Sequence, residues 1–169
     1  MNTSNTQRGS NQGYSRPESR GASGSATIVS DAMKSHADRI AFGGARLSAD
    51  LFDGLASSIA EEISKQPKED CNKSTQIRKF YDELVGWEQK LVDDKSFQDN
   101  EAFFRMLKAK VAYAFGRGRD EKKGKVGLVD DNFRHWFCKC VDETKSAESL
   151  KHFRLHFEAV LGFLKALRG

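Results

Sequence analysis

A chain of 169 residues with a net charge of +4 is long enough for one domain with a real core and gives no sign of a second. No apolar run approaches the length of a membrane span, and the N-terminus lacks the apolar segment of a secretory signal, so a membrane protein and an exported one are excluded and a cytoplasmic location is expected. Cys71, Cys138 and Cys140 are an odd number without a regular framework, as expected of reduced thiols. Twelve Phe against three Tyr and two Trp, with only two Pro, favour an all-α protein held by aromatic packing.

Residues 1–46 are Ser-, Asn- and Gly-rich with isolated Arg and carry too little apolar surface to offset the entropy of ordering, so a disordered tail is predicted there. Within it, the apolar patch from Ile28 to Phe42 can form a transient helix before Gly43 and Gly44 break it. The folded domain is expected to span 47–169 as a single bundle of about five helices. The first is capped by Ser48, shows Leu51, Leu55, Ile59 and Ile63 at steps of four, and stops before Pro67. After the polar connector KEDCNK, Ser74 or Thr75 caps a second helix that buries Ile77, Phe80, Tyr81, Leu84, Val85 and Leu91. Arg78 and Lys79 lie in its first turns, where cations oppose the helix dipole; either they await an external anion or Lys79 simply pairs with Glu83 at i+4.

A third helix, from about Phe97 to Gly116, carries two surfaces. Phe103, Phe104, Leu107, Val111, Ala114 and Phe115 form an apolar arc expected to face the core. Met106, Lys110, Tyr113 and Arg117 fall at i, i+4, i+7 and i+11, a second stripe flanked by Arg105 and Lys108. The glycine-rich loop that follows, expected to be mobile, adds Arg119, Lys122, Lys123 and Lys125. From Arg105 to Lys125 eight Lys or Arg stand against Asp120 and Glu121, a local balance of +6 in a protein of only +4. The fourth helix buries Val129, Phe133, Trp136, Phe137 and Cys140, and the fifth, capped by Ser146, buries Leu150, Phe153, Phe157, Val160, Leu161 and Leu164.

Spacing argues against catalysis and against bound metal or cofactor. Cys138, Cys140, His152 and His156 superficially resemble a zinc-finger spacing, but two cysteines 200° apart on one helix cannot converge on an ion. Gly118 to Lys125 has five residues between its glycines, Val126 where a magnesium-binding hydroxyl belongs, and a helix before it, so it is no phosphate loop. Neighbouring carboxylates such as Asp130 and Asp131, or Glu61 and Glu62, diverge on a helix and make no acid–base pair. The stripe of Lys110, Tyr113 and Arg117 differs in kind: a phosphodiester backbone needs repeated cations, and an aromatic between them can stack on a base. Alternatively, Tyr113 packs on a neighbouring helix while the cations snorkel around it.

Two segments, STQIRKFYDEL (74–84) and FFRMLKAKVAYAFGRG (103–118), followed by the closing helix HFRLHFEAVLGFLKA (152–166), resemble the small subunit of the type III-A CRISPR interference complex, from about Leu47 to the C-terminus. The resemblance implies a helical bundle without enzymatic activity that acts in antiviral defence. It would stack in several copies as an inner filament along the guide RNA and target RNA duplex, beside subunits that cut RNA and DNA and make cyclic oligoadenylates. Arg78, Lys79, Lys108, Lys110 and Arg117 would face RNA by that match. Arg105 and Tyr113 join them from the stripe, and Arg119, Lys122, Lys123 and Lys125 on charge alone. Ala109 stands where many relatives have Pro, which implies a straighter third helix. The rival readings are a helical adaptor whose basic face meets an acidic protein, and a helical DNA-binding regulator, disfavoured because no short-turn helix pair offers a polar recognition helix.

Overall fold

The computed structural model describes residues 29–65 and 70–169, with only the backbone at position 121. The tail residues 1–28 and the expected stop at Pro67 therefore lie outside the described residues. Within them the protein is an all-α bundle of seven helices: α1 (Asp31–Asp38), α2 (Gly54–Ser64), α3 (Ser74–Lys90), α4 (Asp94–Arg105), α5 (Leu107–Gly116), α6 (Asp131–Glu143) and α7 (Ala147–Arg168). An isolated bridge between Asp120 and Lys125 is the one β-type pairing among the described residues.

The longest helix, α7, organises the rest. Its start is fixed by a capping box in which Ser146 and Ser149 satisfy each other's backbone amides. Its apolar stripe then meets α2 and α3, with α4 and α6 alongside. Leu150, Phe153, Phe157 and Val160 are fully buried and Leu164 nearly so, while Leu161 is only half-buried. Against this stripe α6 sets Phe133, Trp136 and Phe137, and the rings interlock: Trp136 meets Phe157 edge-on at 4.9 Å, and Phe137 meets Phe153 at 5.6 Å.

The same seam holds one buried polar pair. Trp136 Nε1 donates to His156 Nε2 at 3.2 Å, and His156 Nδ1 donates to the Leu51 carbonyl. Both ring nitrogens are thus used by a neutral imidazole, and burial pushes its pKa down to about 4 despite the Leu51 bond. Between pH 6.5 and 4 the unfolded chain binds a proton that the folded one refuses. The stability held by this site is therefore complete above 6.5 and lost as pH falls, by about 3 kcal/mol in all. Urea titrations at pH 7 and 4.5 should show this loss in the wild type and a smaller one in His156→Phe; His135, whose pKa burial also lowers, adds in the same direction.

Three elements differ from the sequence expectation. Residues 29–46 are not a tail in their described part, because Met33, Ala37, Ile40 and Phe42 are buried in the common core. Ser30 caps α1 and ties it down: its backbone amide donates to Asn132 Oδ1 at 2.9 Å and its hydroxyl to Glu62 Oε2 at 2.8 Å. The packed domain thus begins near Val29 rather than Leu47. The helix expected from Ser48 starts as a 3-10 turn, Ala49–Phe52, and breaks at Asp53 before α2, although Leu51, Leu55, Ile59 and Ile63 are all buried as its period predicts.

The expected third helix is two. At Met106 the backbone flattens to ψ −14°, and its amide is shared between the carbonyls of Phe103 and Phe104, closing α4 before α5 begins. Each helix then keeps its own face: Phe97 and Phe104 on α4, Leu107, Val111 and Ala114 on α5. Phe103 falls off both and is 59% exposed, so it does not face the core as predicted. The break lies three residues before Ala109, so the helix is interrupted here without a proline.

Candidate nucleic-acid interface

The two sequence motifs that stood out meet across one groove. Gln76, Lys79, Phe80 and Glu83 of α3 form one wall and Lys110, Tyr113 and Ala114 of α5, with Arg117 just past its end, the other, around a cavity of about 210 Å³. Phe80 and Ala114 are buried at its floor, with half-buried Leu128 at its foot. Leu128 is placed by two backbone bonds, its amide to the Ala114 carbonyl at 2.9 Å and its carbonyl from the Asn72 amide at 2.9 Å. Asn72 itself is buried with φ +52° and takes Asp130's amide on its side-chain oxygen, so the starts of α3 and α6 are locked together beneath the groove.

The chain between α5 and α6 is more organised than a mobile loop. Asp120 and Lys125 exchange two backbone bonds, at 3.1 and 2.8 Å, around a 3-10 turn, Glu121–Lys123, with Gly118 and Gly124 at positive φ. On its return Gly127 runs so close to the end of α5 that an added Cβ would lie 1.8 Å from the Phe115 carbonyl oxygen. Gly127→Ala must displace backbone, and thermal melting should show a loss of about 1–3 kcal/mol.

The eleven residues singled out from sequence divide into paired and unpaired groups. Arg105 bonds Glu101 at 2.7 Å and reaches Asp142 at 3.4 Å, and Lys108 takes both oxygens of Asp142 at 2.8 Å. These two cations clasp the α4–α5 corner to α6. Lys110 is paired with Glu83 across the groove, and Arg78 with Asp82 on its own helix, at 3.2 Å. Glu83 therefore serves α5 rather than Lys79, the partner its spacing suggested. Arg119 lies over the Phe115 ring at 4.4 Å, whose other neighbour Arg134 is at 4.2 Å, and Lys123 stands 3.7 Å from Asp120. Lys79, Arg117, Lys122 and Lys125 are exposed and have no ion pair among the described residues. Tyr113 is 68% exposed with no ring contact among them, so it does not pack on a neighbouring helix.

Sequence reasoning missed Asp142 as a partner and offered Glu83 to Lys79 instead of Lys110. The two carboxylates bridge to lysines 34 and 27 positions away, and no local spacing encodes that. The metal alternative also fails on geometry, since His156 has no free nitrogen and burial raises the thiols of Cys138 and Cys140 away from the thiolate a metal needs. Cys71 is pushed up to about 12 in the same way. Among the described residues no three His, Cys, Asp or Glu side chains gather around a possible ion, and no helix is long and apolar enough to cross a membrane.

A family model described as Csm2 Type III-A matches residues 50–169, about seven-tenths of the chain. The chain belongs to the Csm2 Type III-A family. No curated protein and no solved structure matched it. Membership makes it a subunit of a type III-A CRISPR effector complex, in agreement with the resemblance carried by the two motifs. The match begins at residue 50, so α1, Ile40 and Phe42 are a packed addition on the N-terminal side of the Csm2 region.

Proposed function

We propose that the protein is a non-catalytic, RNA-binding structural subunit of its effector complex, stacking in copies along the guide RNA and target RNA duplex and holding backbone rather than reading sequence. The observation that carries this reading is the convergence of both motif helices on one groove whose rim keeps Lys79 and Arg117 unpaired beside an exposed tyrosine. Sequence recognition by base pairing leaves the protein only the backbone to grip, and distributed cations with an aromatic do that. Lys122 and Lys125 extend the cationic rim along the loop. Exposed Phe103 and Met106 at the α4–α5 corner, 59% and 56% accessible, offer an apolar contact for another copy or another subunit.

Binding of single-stranded RNA by the full chain should weaken steeply as salt rises. Lys79→Ala with Arg117→Ala should shallow the slope of log affinity against log salt by about two, roughly one per lost phosphate contact. Lys108→Ala, which removes a cation already held by Asp142, should leave that slope alone. Fluorescence anisotropy across a salt series gives the answer, and an unchanged slope in the double variant rejects the groove as the contact. If neither RNA nor duplex DNA binds, the adaptor reading is favoured.

A further inference from the structure

A groove that only tracked phosphates would have no use for a carboxylate among its lining residues. Glu83 stands there with its side chain 29% exposed; Lys110 takes its Oε1, and Oε2 has no partner among the described residues. Two turns earlier on α3 the Gln76 side-chain amide, which also lines the groove, is unengaged among the described residues. The opposite wall carries the open ring of Tyr113, and Lys79 and Arg117 add positive charge to the lining. The cavity, about 210 Å³, is below the roughly 300–1,000 Å³ of drug-sized sites and has room for one planar heterocycle rather than a run of nucleotides.

The geometry points to a subsite for a single unpaired RNA base that carries an exocyclic amine. The ring stacks on Tyr113, its amine donates to the open oxygen of Glu83, and its phosphate lies between Lys79 and Arg117. Stacking on an aromatic tolerates any base, so selection falls to the carboxylate. Cytosine offers its N4 amine to a carboxylate, whereas uracil turns a carbonyl oxygen towards it. Lys110 offsets the Glu83 charge, which lets the phosphates approach. This subsite rests on the RNA-binding reading above and sharpens it, because a backbone-gripping protein acquires a local base preference.

Oligo(rC) and oligo(rU) of equal length are titrated against the full chain at neutral pH, at low salt and across a salt series. Wild type should bind oligo(rC) about fivefold or more tightly than oligo(rU). In Glu83→Gln, whose amide can both donate and accept, the two affinities should converge, with oligo(rU) gaining as the negative charge goes. Tyr113→Ala should weaken both by about fivefold or more, and Tyr113→Phe should keep them. Equal binding of the two by wild type, or a preference that survives in Glu83→Gln, overturns the subsite while leaving RNA binding intact. No salt-dependent binding of either oligomer overturns the RNA-binding reading and the subsite with it.

Discussion

Replacing Phe157 by alanine is expected to lower the free energy of unfolding by about 3–5 kcal/mol, the range for a large buried aromatic whose site cannot collapse. Phe157 is fully buried and touches rings from three directions: Trp136 at 4.9 Å, Tyr81 at 5.8 Å and Phe153 at 6.3 Å. Those rings belong to α6, α3 and α7 itself, so the cavity left behind would be walled by elements that are each anchored elsewhere. Urea unfolding followed by circular dichroism should show a lower midpoint at constant slope. A loss under about 1 kcal/mol would mean that the aromatic seam is looser than the ring distances indicate.

A second large effect is expected well outside the region matched by the family. Phe42 is 1% exposed, stacks on Phe153 at 5.6 Å with planes 17° apart, and lies 5.7 Å from His156. Its carbonyl is also bonded by His152 Nδ1 at 2.9 Å. Phe42→Ala should therefore cost about 3–5 kcal/mol, as a core position does, where a domain starting at Leu47 would predict almost none. Because Phe42 and Phe157 both lean on Phe153, the double variant should depart from additivity, and the size of that departure measures how far the N-terminal segment shares the core.

Much of the bundle was legible because apolar period reports which face is buried. The stripes of α6 and α7 were read nearly residue by residue, and their partners follow from the fact that such stripes have nowhere else to go. The N-terminal segment was misread because composition averaged over 46 residues is dominated by Ser, Gly and Asn, which hides Met33, Ala37 and Ile40 at steps of four and three. The split at Met106 has no local signal either. FFRMLKAK contains no Gly or Pro, and what separates the two halves is their partners, α4 packing on α7 and α5 on α6. At the groove, the cation and tyrosine positions were visible as a stripe, but which of them are spent on carboxylates was not. Asp142 and Glu83 reach their partners only after the helices are assembled.

The two walls of the groove stand on different foundations. The α3 wall leans chiefly on α7 and the α5 wall on α6, with Phe80 and the Asn72 bond to Asp130 tying α3 to α6 as well, so the width between them depends on how α6 and α7 seat against each other. A substitution at that hidden junction would reset the aperture at the surface without altering one residue that lines it. Losses of ligand affinity that map to the aromatic interior would then be a matter of gauge, read out by the groove but caused beneath it.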